Sequence, residues 1–154
     1  MPHSVLVLSG PNLDRLGKRE PHIYGTTTLA EIHERLGKIA ASYGASIDCR
    51  QSAHEGDLIT WIGSAQESGF TGILLNAGSL THTSIGLLDA VRLAGVPVVE
   101  VHVSNPEARE KFRRRSYVAR VAIAKVAGFG AASYELALNG LLRHLDEQVR
   151  TEGA

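Results

Sequence analysis

Short apolar runs, each followed by a stretch of helical spacing, recur five times along this chain and restrict what it can fold into. Residues 5–9 form the first run, closed by Gly10-Pro11; residues 46–51, 72–76, 96–103 and 118–127 form the others. Runs of this length bounded by Gly and Pro read as buried strands. Between them, Leu29, Ile32, Leu36, Ile39 and Ala40 share one helical face, with Gly44 placed to end the helix. Leu58, Ile59 and Ile62 mark a second helix, residues 84–94 a third and residues 131–148 a last one. The segment 9–25 carries too many Gly and Pro residues for a regular element, and a short helical piece is expected after Pro106, carrying Arg109 and Arg113. Alternating strands and helices with short connections pack as a parallel sheet with right-handed crossovers and helices on both faces.

Five such strands favour the order 2-1-3-4-5 of flavodoxin-like α/β proteins. Sites in these sheets lie beyond the carboxyl ends of the strands, at the switch point between strands 1 and 3. Polar residues gather at those ends: Asn12 after the first run, His54 and Glu55 after the second, Asn76 and residues 81–84 after the third, His102, Ser104 and Asn105 after the fourth. They are expected to converge. Alternation along the fourth run puts Glu100, His102 and Ser104 on one side and Val101 and Val103 on the other. A carboxylate two residues before a His on one face can fix the imidazole's tautomer. The plainer reading of the same pattern is an edge strand with a polar, solvated face.

At 154 residues, the chain reads as one domain over 1–154. Lys+Arg and Asp+Glu both number 16, so the formal net charge is zero, which argues against nucleic-acid or membrane binding over the whole surface. The single Cys49 excludes an internal disulfide and a cysteine zinc cluster. With no signal-peptide pattern and no apolar stretch of membrane-span length, a cytoplasmic protein is expected. The His residues number seven, but none pairs at i, i+4 with a carboxylate, so no metal site is expected. GFGAAS at 128–133 opens a helix and could cradle a phosphate, although it lacks the lysine and spacing of a P-loop.

The loop after the first strand gives the sharpest chemical hint. Arg19 and Tyr24 lie on a segment framed by Gly17, Pro21 and Gly25, suited to a hinged lid. A tyrosine of ordinary pKa, about 10, costs about 4 kcal/mol to use as an anion near neutrality. A neighbouring guanidinium, which cannot lose its own proton, reduces that cost. Tyr24 could then act as a base, His102 could supply a proton, and Asn12 could donate to a developing oxyanion. Asn76, His82 and Arg113 could bind hydroxyl or carboxylate groups. The set suggests proton abstraction beside a carbonyl followed by loss of water. Each residue also has a plainer use: Tyr24 as a surface aromatic, Arg19 as one solvated charge of several, and Asn12 as a turn cap. Ser84 or Thr83 could serve only as a helix N-cap, and residues 113–115 as a solvated basic face.

GPNLDRLGKREPHIYG, QSAHEG, NAGSLTHTS, EVHVSN, REKFRRRS and GFGAASYELAL, in this order over about residues 4–143, resemble the signature blocks of type II 3-dehydroquinate dehydratases. The resemblance implies a flavodoxin-like fold, no cofactor, and a dodecamer of four trimers. It also implies dehydration of 3-dehydroquinate to 3-dehydroshikimate, the third step of the shikimate route, by anti elimination through an enolate. It places the catalytic base on Tyr24, the lid arginine on Arg19, the positioning asparagine on Asn12, the acid on His102 and its orienting glutamate on Glu100. Substrate contacts fall on Asn76, His82, Val103, Ser104, Arg109 and Arg113, and Asp89 is expected to reach the site of a neighbouring subunit. The chain departs from the family's usual blocks at Asp14, Arg15, Ala53 and residues 77–80. The competing reading is a catalytically inactive flavodoxin-like protein that binds a small molecule or nucleotide, for which GFGAAS is the attraction.

Overall fold

The computed structural model describes residues 2–18 and 20–153, with the backbone alone at Tyr24. Strand β1 (Ser4–Ser9) is followed by a one-turn helix α1 (Pro21–Tyr24) and then α2 (Leu29–Ser42), β2 (Ser46–Gln51) and α3 (Glu55–Ser64). β3 (Gly72–Asn76), α4 (Ile85–Arg92), β4 (Val98–His102), β5 (Ala124–Ala127) and α5 (Ala132–Gly153) complete the fold. All pairings are parallel and the sheet runs β2-β1-β3-β4-β5, as the strand–helix alternation predicts.

Alternation sorts the sheet's side chains into two layers. Val5, Val7, Leu74, Val99 and Val101 face α2 and α5, meeting Ile32, Leu36, Leu138, Leu141 and Leu142. Leu6, Leu8, Ile73, Leu75 and Val98 face α3 and α4, meeting Leu58, Ile62, Leu87 and Val91. Every apolar residue of β1 is fully buried, which is why its pattern is a continuous apolar run rather than an alternation. Thr28 caps α2 by accepting from the Glu31 amide, and Ser84 caps α4 by accepting from Leu87, the plainer of its two expected uses. Where β1 ends, a Cβ added to Gly10 would sit 2.6 Å from the Ala77 carbonyl oxygen, so only glycine lets the first loop pass β3 this closely.

Three local expectations need correction. Val118–Arg120 is a 3-10 turn and only Ala124–Ala127 forms the last strand; Ser116 Oγ accepts from the Ala119 amide and bends the chain before it can pair. The segment after β4 is two separate 3-10 turns, Pro106–Ala108 and Lys111–Arg113, with Arg109 extended between them. The punctuated first loop contains a 3-10 turn, Leu13–Arg15, as well as α1.

Candidate active site

Beyond the carboxyl ends of β1, β3 and β4 lies a cavity of about 190 Å³. Asn12, Asn76, His82, His102, Val103, Ser104, Arg109 and Arg113 all line it, together with Arg15. This is the switch point expected for such a sheet. The convergence is incomplete: His54 and Glu55 follow the edge strand β2 and open α3, away from the cavity, and Asn105 is exposed beside Gly128. Asp89 is exposed on α4 and does not line the cavity of its own chain. Arg19 and the side chain of Tyr24 lie outside the described residues.

β4 is an interior strand, not an edge, and it delivers the most constrained pair in the site. Glu100 has no exposed surface and His102 is 6% exposed. Glu100 Oε2 accepts from His102 Nε2, from Thr81 Oγ1 at 2.8 Å and from Ser116 Oγ at 2.7 Å. Burial alone would push the Glu100 carboxyl up; the hydrogen bond and charge of His102, then Ser116 and Thr81, outweigh it and hold the group below its ordinary value. An ionised carboxylate only accepts, so Nε2 carries the hydrogen and Nδ1 is the nitrogen left to meet a ligand.

His82 stacks against His102 with ring centroids 6.5 Å apart and planes 13° from parallel. Its Nδ1–H donates to the Arg115 carbonyl at 2.7 Å, which leaves Nε2 as an acceptor. Burial, foremost, holds the His82 ring below its ordinary value and so favours the neutral form.

Asn76 is held equally firmly. Its Nδ2 donates to the Tyr134 hydroxyl at 3.0 Å, and its Oδ1 accepts from the Gly78 amide at 3.1 Å. The Tyr134 hydroxyl also meets Ser9 Oγ at 2.9 Å. Burial pushes the Tyr134 phenol up to about 12, so it stays a neutral anchor. One Asn76 N–H remains for a ligand.

Asn12 adopts the left-handed conformation, φ 70°, that asparagine tolerates better than most residues. Its side chain makes no capping bond, so the turn-cap reading fails and the amide faces the cavity. At the far wall, Arg113 Nε donates to Glu110 at 3.2 Å, Arg109 Nε lies 3.8 Å from the same carboxylate, and Arg109 Nη1 reaches Ser104 Oγ at 3.4 Å. Among the described residues, three guanidiniums and no carboxylate line the cavity, an environment that favours an anion.

Three amides of GFGAAS are already engaged: Gly128 donates to the His102 carbonyl and Gly130 to the Val103 carbonyl, which fixes the loop to β4, and Phe129 donates to Ser133 Oγ, which weakens the phosphate-cradle reading. Sequence reasoning placed Thr81 at the converging strand ends without its bond to Glu100, and missed Ser116 and Tyr134. Thr81 and Ser116 are 35 positions apart, and no periodicity links them.

The fold and cavity define a small α/β enzyme of the acid–base kind, with a buried carboxylate–imidazole pair facing an anion-favouring pocket. Residues 3–142 match the family Dehydroquinase class II, and the chain belongs to that family. A 3-dehydroquinate dehydratase of Rhodopseudomonas palustris (strain BisA53) is 50% identical over 145 residues, covering 94% of this chain and 96% of that one. One from Halalkalibacterium halodurans is 51% identical over 139 residues, covering 90% and 95%. Type II dehydroquinase crystal structures superpose closely. That of Butyrivibrio crossotus has a TM-score of 0.88 at 35% identity, covering 91% of this chain and 97% of that one. That of Propionibacterium acnes has a TM-score of 0.87 at 39% identity, covering 93% and 98%.

Proposed function

We propose that this chain is a hydro-lyase that dehydrates 3-dehydroquinate to 3-dehydroshikimate by anti elimination through an enolate, the third step of the shikimate pathway. The observation that carries the reading is the buried Glu100–His102 pair facing the arginine-lined cavity. Tyr24, as a phenolate favoured by Arg19, removes the proton beside the ketone, and the C–H electron pair moves into the enolate. Asn12 donates to that oxyanion. The enolate then re-forms the ketone, the carbon–oxygen bond to the leaving hydroxyl breaks, and His102 supplies the proton that makes the leaving group water. Glu100 holds the His102 ring and balances its charge when it is protonated.

The substrate carboxylate is bound by Val103 and Ser104 with Arg109 and Arg113 beside it, while Asn76 and His82 bind its hydroxyls. The reaction needs no cofactor or metal in this reading. Asp89 contributes to a neighbour's site within a trimer, and four trimers form a dodecamer in the cytoplasm. The exposed stripe Ile85, Asp89, Leu93, at successive four-residue spacings, supports association along α4.

The test is the rise of enone absorbance on adding 3-dehydroquinate. Wild-type protein should turn over; Tyr24→Phe should lose about 10²–10⁴-fold in kcat while still binding ligand. Arg19→Lys should also fail, because the charge survives but the planar fork does not. Absence of any rise with the wild type, with ligand binding intact, would overturn the reading.

A further inference from the structure

We infer that Thr81 and Ser116 are positioning residues of this site, their hydroxyls clamping the Glu100 carboxylate so that it fixes the tautomer and orientation of His102. The inference rests on the acid–base role proposed above for His102. Thr81 is fully buried and Ser116 is 9% exposed. Thr81 sits in the 3-10 turn Gly78–His82 after β3, and Ser116 in the connection toward Val118, so the clamp joins two separate segments.

Those segments are interlocked residue by residue. The Tyr117 amide donates to the Thr81 carbonyl at 2.8 Å, and His82 Nδ1 donates to the Arg115 carbonyl at 2.7 Å. Between these two bonds, Thr81 Oγ1 and Ser116 Oγ lie 2.7 Å apart, and both reach Glu100 Oε2. One device therefore places the His82 ring and the Glu100 carboxylate together.

The hydrogen count makes the assignment specific. Two hydroxyls carry two hydrogens, yet three oxygen–oxygen contacts close the triangle. Both go to Oε2, the charged acceptor, so the contact between the two hydroxyls carries no hydrogen of its own. All fixed partners of the carboxylate meet on Oε2, the oxygen that His102 touches, and Oε1 has no hydrogen-bond partner among the described residues. Without the two hydroxyls only His102, among the described residues, would hold the carboxylate, and a buried acceptor with so few donors favours the neutral acid. A neutral acid that donates to Nε2 would shift the imidazole hydrogen to Nδ1 and leave no carboxylate charge to stabilise an imidazolium; the ring could then give up its Nδ1 proton only if the Glu100 proton followed onto Nε2 in the same step.

The experiment combines steady-state kinetics with imidazole ¹⁵N NMR of the full chain, His102 being assigned through His102→Gln. Ser116→Ala and Thr81→Val should each lower kcat about tenfold with KM within about twofold, since each removes one donor to a charged group. The double variant should lose about 100-fold. Thr81→Ser, which keeps the hydroxyl, should restore most of what Thr81→Val loses. In the wild type His102 should be the Nε2–H tautomer, and the double variant should show a mixture.

Unchanged kcat in both single variants would overturn the inference, as would a Thr81→Ser variant no better than Thr81→Val. So would a pure Nε2–H tautomer in the double variant. The NMR reading needs no turnover, so a wild type inactive on 3-dehydroquinate would remove the functional reading and leave the clamp to be judged by tautomer. Should the double variant not fold, Ser116→Ala alone decides: some Nδ1–H form supports the clamp and its absence refutes it.

Discussion

Glu100 is a carboxylate with no exposed surface, and that burial would make it neutral were it not for three donors on a single oxygen. Its titration has a definite sign. The folded group sits below its ordinary value of 4.5, so the unfolded chain takes up the proton first. The stability that Glu100 contributes is complete above that value and is lost as pH falls through the lower folded one. Urea midpoints measured from pH 6 down to pH 3 should fall, and Glu100→Gln should flatten the part below pH 4.5. The same variant should lower kcat by at least about 100-fold, the scale of a displaced general acid. Cys49 behaves differently: burial, with help from Asp48, pushes its thiol up to about 12. It should react with iodoacetamide far more slowly than a free cysteine at pH 8; equal rates would show that the thiol is more open than its place on β2 indicates.

Each strand end presents a side chain, but distant elements decide how that side chain is held. Tyr134, in the first turns of α5, ties Asn76 at the end of β3 to Ser9 at the end of β1. Tyr134→Phe would leave two buried polar groups short of a partner. It should cost about 1–3 kcal/mol of stability in denaturant melts and raise KM more than it lowers kcat. Gly10→Ala would force a methyl into the Ala77 carbonyl and part β1 from the loop after β3, at about 1–3 kcal/mol. The sheet itself was legible in the sequence, because buried parallel strands and one-faced helices leave different apolar periods. Glu100 and His102 were legible too, by alternation along one strand, whereas Ser104 lies in the bend after it. The turn at Val118–Arg120 was not: Val118 is as buried as any strand residue, and a side-chain hydroxyl, not apolarity, bends the chain there. The pairings of Thr81, Ser116 and Tyr134 escaped because their partners lie 16 to 125 positions away and nothing local marks them.

Across the whole molecule, charge and apolar surface are unevenly divided. Three arginines among the described residues line the cavity at the carboxyl end of the sheet, although the chain's formal charge sums to zero. Along α4, Ile85 and Leu93 are 59% and 82% exposed, flanking Asp89. If that stripe is where chains meet, light scattering of the native protein should give a mass far above the 16.5 kDa of one chain. Leu93→Glu should then reduce both the mass and the turnover. A native protein that stays monomeric at micromolar concentration would remove the trimer from the account. Tyr134 also bears on how the protein is made. Asn76 precedes the phenol that orients its amide by 58 positions, and that phenol sits on the helix that follows the last strand. A chain made only as far as β5 therefore has Glu100 and His102 in hand while the Asn76 amide still lacks its anchor.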